Sequence, residues 1–479
     1  MPSITSLGVG SGLDAEGIIS KLIQVESQPL KLLEKQESGL RTQLSAFGKI
    51  QSLLSDLDSA ATSLASVTMW NQTTTTSADD SYVSASSASG AATGSYAVTV
   101  SKLAAGQTIT SSAFGSSSST LSEGTLTIEL GSWTGTPESG FSAKSGSSPV
   151  NITIGAGETS LASIRDKINA AGAGVTATII NDASGARLSL RSTDTGLENG
   201  FRITATEDVD DGNSATGLSA LGYSALAASP MTRNQSAQNA QATINGISIS
   251  SASNTLADVA DGLTLTLHKE TSSAINVTVG PDTEAVRKGI EDFVKAFNGL
   301  AGYIRDQTKY DATSKTGGPL QGHRTAVGLQ NQLRAILNES SSASSVFTTL
   351  SDVGIVMKKD GTLETKTSKL DNALANLTEL RKVFATDTGT SASSGFMVRY
   401  RDLANSVLDP EGSLSTVNDS LNARIKTLDK RQEAMELRLK STEARLRAQY
   451  QALDTQLASM SGLSSYVTAQ LSAMNKSSS

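Results

Sequence analysis

"DKRQEAMELRLKSTEARLRAQY", residues 429–450, contains neither glycine nor proline, and Met435, Leu439 and Leu446 fall on one side of a helix. Working outward, two rows emerge. Leu414, Leu421, Leu428 and Met435 lie seven residues apart, and so do Leu439, Leu446, Leu453 and Met460, led in by Ile425 and Gln432. Thr442 and Gln449 interrupt the first row. A seven-residue repeat keeps one apolar stripe turned toward a partner helix over a long seam. The interleaved Lys, Arg, Asp and Glu suit exposed flanks. From Leu414 to Met460 no glycine or proline intervenes, which predicts a rod of roughly 70 Å at ~1.5 Å per residue. A long helix buried within a bundle is the competing reading, since period alone does not separate the two. Against it, a rod of that length outruns any compact domain this chain could build.

The other end of the chain carries the same signal. Leu33, Leu40, Phe47, Leu54 and Ala61 are each seven apart, with Ile50, Leu57 and Leu64 as a second row. Two terminal rods with apolar stripes predict a pair, with everything between them nested as an insertion. Ahead of the N-terminal rod, "SLGVGSGLDAEGII" (6–19) places Gly8, Gly10 and Gly12 at alternate positions. A nucleotide-binding loop would need a preceding strand, and a P-loop a Lys-Ser/Thr pair after the glycines. Neither is present, and the spacing is G-x-G-x-G. The stretch therefore reads as a hinge, with Asp14 as N-cap of the helix that follows and Leu13 and Ile18 at staple positions.

Composition narrows the function classes. Over 479 residues only 18% are charged and 4% aromatic, and the formal net charge is -7. Modest cores and many turns fit that composition, whereas a basic field for nucleic acid is missing. With no cysteine, disulfides, thiol catalysis and Cys-ligated zinc are excluded. His268 and His323 each stand alone, without the convergent partners that metal binding or general base chemistry requires. No apolar run approaches a membrane span, so membrane insertion is not expected. The first residues do not have the form of a cleavable secretory signal. No catalytic residue, cofactor or metal site is expected.

Between the rods the period falls to two. "GSYAVTVSKL" (94–103) reads as a strand with Tyr96, Val98 and Val100 on one face, and "GTLTIEL" (124–130) as another led by Leu126, Ile128 and Leu130. Residues 150–192 read as strand, helix, strand, turn and strand, the helix carrying Leu161, Ile164 and Ile168. Residues 242–267 read as a shorter version: a hairpin turn at Asn245-Gly246, a brief helix, Gly262 and a strand. Both blocks start their helix with Ser/Thr-Leu-Ala, a hint of an internal repeat. After Val279 helices return, one with Val286, Ile290, Phe293, Phe297, Leu300 and Ile304 on one side, the next running through Val327, Leu329, Leu333 and Leu337. A hairpin on Asp360-Gly361 precedes a further helix.

Several blocks together resemble the bacterial flagellar filament cap family, also called hook-associated protein 2. They are "SLGVGSGLDAEGIISKLIQVESQPL" (6–30), "GSYAVTVSKLAAGQ" (94–107), "TSLASIRDKINAAGAGVTATIINDASGARLSLRSTDTG" (159–196), "FVKAFNGL" (293–300), "GPLQG" (318–322) and "LSDVGIVMKKDGTLETKTSKLDNAL" (350–374). They occur in family order over most of the chain. His323 and Lys366-Thr367 depart from the family's more acidic loops. The fold expected is multidomain α+β: paired terminal coiled-coil helices (1–40 and 412–479), a helical leg domain (41–72 and 281–411), and two β-rich domains inserted in the middle, a first (73–120 and 236–280) and a second (121–235).

The resemblance implies a secreted structural protein that forms a homo-oligomeric ring at the distal tip of the flagellar filament. There it retains exported flagellin and promotes its folding and insertion. Implied partners are itself, flagellin, the hook–filament junction protein and an export chaperone on the C-terminal helix. The seam residues Leu33 to Leu54 and Leu414 to Met460 would carry assembly. An adhesin or glycan-binding module, another axial flagellar protein, and a glycan hydrolase are the alternatives. Trp70 and Trp133 are the only tryptophans, too few for an aromatic binding platform, and no carboxylate pair stands out for hydrolysis.

Overall fold

The structure, a computed structural model, describes residues 14–477 apart from 136–139, 225–228 and 314. The chain divides into two units: Met1–Trp70 with Thr283–Ser479, and Asn71–Asp282 inserted between them in sequence.

The first unit opens with α1 (Ala15–Glu26), α2 (Gln28–Ala65) and the short α3 (Val67–Trp70). Asp14 caps α1, its carboxylate accepting from the Gly17 N–H at 2.9 Å. The staple partner Leu13 and the hinge glycines Gly8, Gly10 and Gly12 lie outside the described residues. Pro29 sits in the first turn of α2, where no N–H is needed.

In the inserted unit a five-stranded antiparallel sheet runs in the order Thr73–Ser77, Ile275–Pro281, Gly94–Lys102, Ala240–Ile244, Ile247–Ser251. It shares a core with a three-stranded sheet, in which Leu263–Leu267 lies between Thr255–Ala260 and Val83–Ser87. Val98, Val100, Leu263, Leu265 and Val277 are buried there. A second core collects Ile109, Leu126, Ile128, Leu188, Leu190 and Phe201. Two four-stranded sheets build it, and α4 (Leu161–Ala170) packs Leu161, Ile164 and Ile168 into it.

One expectation fails in this unit. Thr255–Ala260 is a strand, not a brief helix, pairing Thr255 with Thr266 and Leu256 with Leu265. The register slips between Leu256 and Ala260, and Asp258 adopts φ 51° with its carboxylate accepting from the Gly262 N–H. Burying Leu256 and completing the ladder outweighs the helix propensity of Leu-Ala-Asp. The suggested repeat falls with it, since Ser160-Leu161-Ala162 opens a helix and Thr255-Leu256-Ala257 a strand. The Asn245-Gly246 turn is as expected, both residues at positive φ (50° and 82°), as a two-residue hairpin requires.

The helical unit resumes with α5 (Thr283–Thr308), α6 (Arg324–Asn338), α7 (Thr367–Leu374), α8 (Leu377–Ala385) and α9 (Phe396–Leu408), and ends in the 65-residue α10 (Ser413–Ser477). All six apolar residues expected on one side of α5 are buried. On α6 Leu329 and Leu333 are buried, while Val327 is exposed: it lies two residues from Leu329, on another side of the helix. One apolar core joins α2, α5, α9 and the start of α10. Tyr400 lies at its centre, 5.1 Å from the Phe293 ring and 6.0 Å from Phe297, and its hydroxyl donates to the Leu333 carbonyl at 3.0 Å.

Candidate assembly surface

Helix α10 runs antiparallel to α2 and α1, and side-chain pairs mark the register. Gln432 Nε2 donates to Glu37 at 2.7 Å, Arg41 lies 3.7 Å from Asp429, and Arg447 grips both Glu16 oxygens at 2.8 and 2.6 Å. The bond to Arg447 holds the Glu16 carboxyl below its ordinary pKa, and Arg41, then Gln432, do the same for Glu37. Gln432, which interrupts the apolar row, is thus a paired polar contact within the seam.

Apolar burial follows the rows for part of their length. Leu40, Phe47 and Leu54 are buried on α2 and Leu33 half-buried; on α10 Leu414, Leu421, Ile425 and Leu428 are buried. Met435, Leu439 and Leu446 are half-buried. Beyond Tyr450 the row changes character: Leu453 is 42% exposed and Met460 65%, while Leu457 takes the half-buried place. Arg447 pairs with Glu16, one residue into α1, so beyond Tyr450 α10 runs past the described start of its antiparallel partner and its apolar row has no described helix to pack against. Leu463, Tyr466, Val467 and Leu471 are also exposed, leaving the last third of α10 with large apolar side chains uncovered among the described residues. The N-terminal half of the seam, its buried C-terminal counterpart and the Asp14 cap are therefore brought into one helical unit, while Leu453 and Met460 are not packed.

His323 precedes α6 and packs edge-on against Phe47 at 4.7 Å. Its Nδ1 is buried without a hydrogen-bond partner. Burial, reinforced by Arg424, holds the imidazole below its ordinary pKa, which keeps it neutral at pH 7. His268 follows a strand and bonds the Ser84 hydroxyl at 2.8 Å. Among the described residues no group of three or more His, Asp or Glu is placed to hold a metal ion, and no helix is long and apolar enough to cross a membrane.

A feature that the apolar rows hid is the charge on their flanks. Arg424, Arg431, Arg438 and Arg445 recur every seven residues on one edge of α10, and Asp429, Glu436 and Glu443 on the other. The same periodic reading applied to charged residues finds both rows.

Profiles of the flagellar hook-associated protein 2 N-terminus and C-terminus match residues 11–107 and 237–462, and the flagellin hook IN motif matches 140–194. The flagellar hook-associated protein 2 of Escherichia coli (strain K12) is 34% identical over 482 residues, covering 98% of each chain. The chain belongs to the flagellar hook-associated protein 2 family. The hook-associated protein 2 of Salmonella typhimurium (strain LT2) is 30% identical over the full length of both chains. A crystal structure of the flagellar cap protein FliD D1-D2-D3 domains from Escherichia coli covers 79% of this chain and 99% of its own, at 32% identity and a TM-score of 0.58. Its likeness agrees with the mixed α+β architecture described above.

Proposed function

We propose that this chain caps the bacterial flagellar filament: a structural assembly protein that forms an oligomeric ring at the tip, retains exported flagellin and promotes its folding and insertion. The observation that carries the reading is the exposed apolar row of α10 beyond Tyr450, on a helix whose earlier rows are buried. A 65-residue helix that leaves Leu453, Met460 and Leu471 uncovered gains order from neighbours, because isolated helices are marginal without packing. Ordering on assembly carries an entropic cost, and it suits both passage through a narrow channel and adjustment to unequal positions at a filament end.

In this reading the exposed end of the seam, Leu453 and Met460, carries assembly, while Leu33, Leu40, Phe47 and Leu54 pack with Leu414, Leu421 and Leu428 inside the subunit and hold the rod in place; Gly8, Gly10 and Gly12 form a hinge. The protein is exported to the filament tip. Beside itself and flagellin it meets the hook–filament junction protein, and an export chaperone covers the C-terminal helix before export. A deletion strain tests this: it should lack filaments and release flagellin monomer into the medium. Intact filaments and normal swimming in that strain would remove the cap reading and leave the adhesin alternative.

A further inference from the structure

The groove between α2 and α10 on the arginine side has a volume of about 620 Å³. Leu40 and Leu428 line it along with three cations, Lys35, Arg424 and Arg431, and no carboxylate does. On its α2 wall a Cβ at Gly39 would meet nothing within 4 Å, so the wall is open. Arg424, Arg431, Arg438 and Arg445 are all exposed, and none is in a salt bridge among the described residues. On the opposite edge, by contrast, Glu37, Arg41, Asp429, Gln432, Glu443 and Arg447 are paired with one another or across the seam.

At 100° per residue the two charged rows stand about 140° apart around α10, flanking its apolar seam. They share one pitch, roughly 10.5 Å per seven residues. Two copies of the rod lying side by side, pointing the same way at equal height, therefore set Arg431 between the levels of Asp429 and Glu436. Arg438 then lies between Glu436 and Glu443. This is the charge register by which flanking positions of parallel helices select partner and orientation. An acidic edge meeting a basic edge is a head-to-tail contact, which closes into a ring when the rotation allows.

Resting on the ring reading above, we propose that the basic groove of α2 and α10 receives the acidic edge of α10 from a second copy of this chain, locking neighbouring rods in parallel without axial stagger. Charge complementarity at equal pitch favours this occupant. On the acidic edge Glu436 is exposed and in no salt bridge among the described residues, while Asp429 and Glu443 hold Arg41 and Arg447 in solvent-exposed pairs whose second carboxylate oxygen an incoming arginine can share.

The test is sedimentation velocity of the full chain over a concentration series at two salt concentrations, with circular dichroism to follow helix content. Two sets are compared with wild type: R424E/R431E/R438E and D429K/E436K/E443K. Each alone should self-associate roughly a hundredfold more weakly, and an equimolar mixture should recover association. Wild-type association should weaken as salt rises. Should charge reversal lower the helix content, the neutral set R424Q/R431Q/R438Q decides, by weakening association and flattening its salt dependence while the helix persists. Wild-type-like association of the arginine sets overturns the proposal. Two associating-deficient but folded sets that do not rescue each other overturn it as well, and assign the groove to a different acidic partner. A wild-type chain that stays monomeric throughout removes the ring reading itself, whereas the two preceding outcomes leave that reading standing.

Discussion

Leu421 and Leu453 are both leucines on α10 in rows spaced by seven, yet Leu421 is 3% exposed and Leu453 42%. Truncating Leu421 to alanine removes a side chain packed into the core shared by α2, α5 and α10. Loss of the buried methyl groups together with the residual cavity costs about 2.7–5 kcal/mol. Truncating Leu453 removes atoms already in contact with water and no cavity results, so the cost stays within about 0.5 kcal/mol. Urea unfolding of the monomer, followed by far-ultraviolet circular dichroism, reads the difference. With an m value of about 3 kcal/mol/M, the Leu421→Ala midpoint should fall by about 0.9–1.7 M and the Leu453→Ala midpoint should stay close to wild type. The order should reverse in assembly, where Leu453→Ala and Met460→Ala impair association at unchanged monomer stability. Equal midpoint shifts for Leu421→Ala and Leu453→Ala would refute the division of α10 into a packed and an unpartnered part.

Three further outcomes follow from other parts of the molecule. Burial lowers the folded-state pKa of His323 relative to the unfolded chain, so the unfolded state binds more protons below the ordinary histidine value of 6.5. Stability of the helical unit should therefore fall as pH drops through that value and level off below the folded pKa; His323→Gln should flatten this part of a pH series of unfolding midpoints. Gly185 has φ 132°, and a Cβ there would meet the Phe114 carbonyl oxygen at 2.1 Å. Gly185→Ala should lower the unfolding temperature of the inserted unit by the equivalent of about 1–3 kcal/mol and leave the helical transition in place, as calorimetry would show. Phe297→Ala, in the cluster around Tyr400, should cost about 3–5 kcal/mol in the helical transition, read by urea titration.

The paired ends were legible in the sequence because a seven-residue repeat is a direct consequence of helix geometry, and Leu40, Phe47, Leu54, Leu421 and Leu428 are buried along it. The point where pairing stops was not legible. Leu446 and Leu453 carry the same pattern, and what separates them is the partner: Glu16, at the start of α1, pairs with Arg447, and Leu453 lies beyond that level. Thr255–Ala260 was misread because local propensity favours a helix there, while the deciding contacts come from Leu265 in the neighbouring strand and from a positive φ at Asp258. The helix through Val327, Leu329, Leu333 and Leu337 is present as α6, and the two-residue step from Val327 to Leu329, which no helical stripe accommodates, explains why Val327 is exposed. The charged rows on α10 were written as plainly as the apolar ones, but alternating signs along the chain concealed the separation into two edges.

Amide hydrogen exchange across the free subunit and the assembled ring tests most directly whether neighbours order the end of this chain. Amides of residues 414–428 should be protected in both states, and those of residues 453–471 should exchange fast in the free subunit and slowly in the assembly. Equal protection of residues 453–471 in the two states would contradict it.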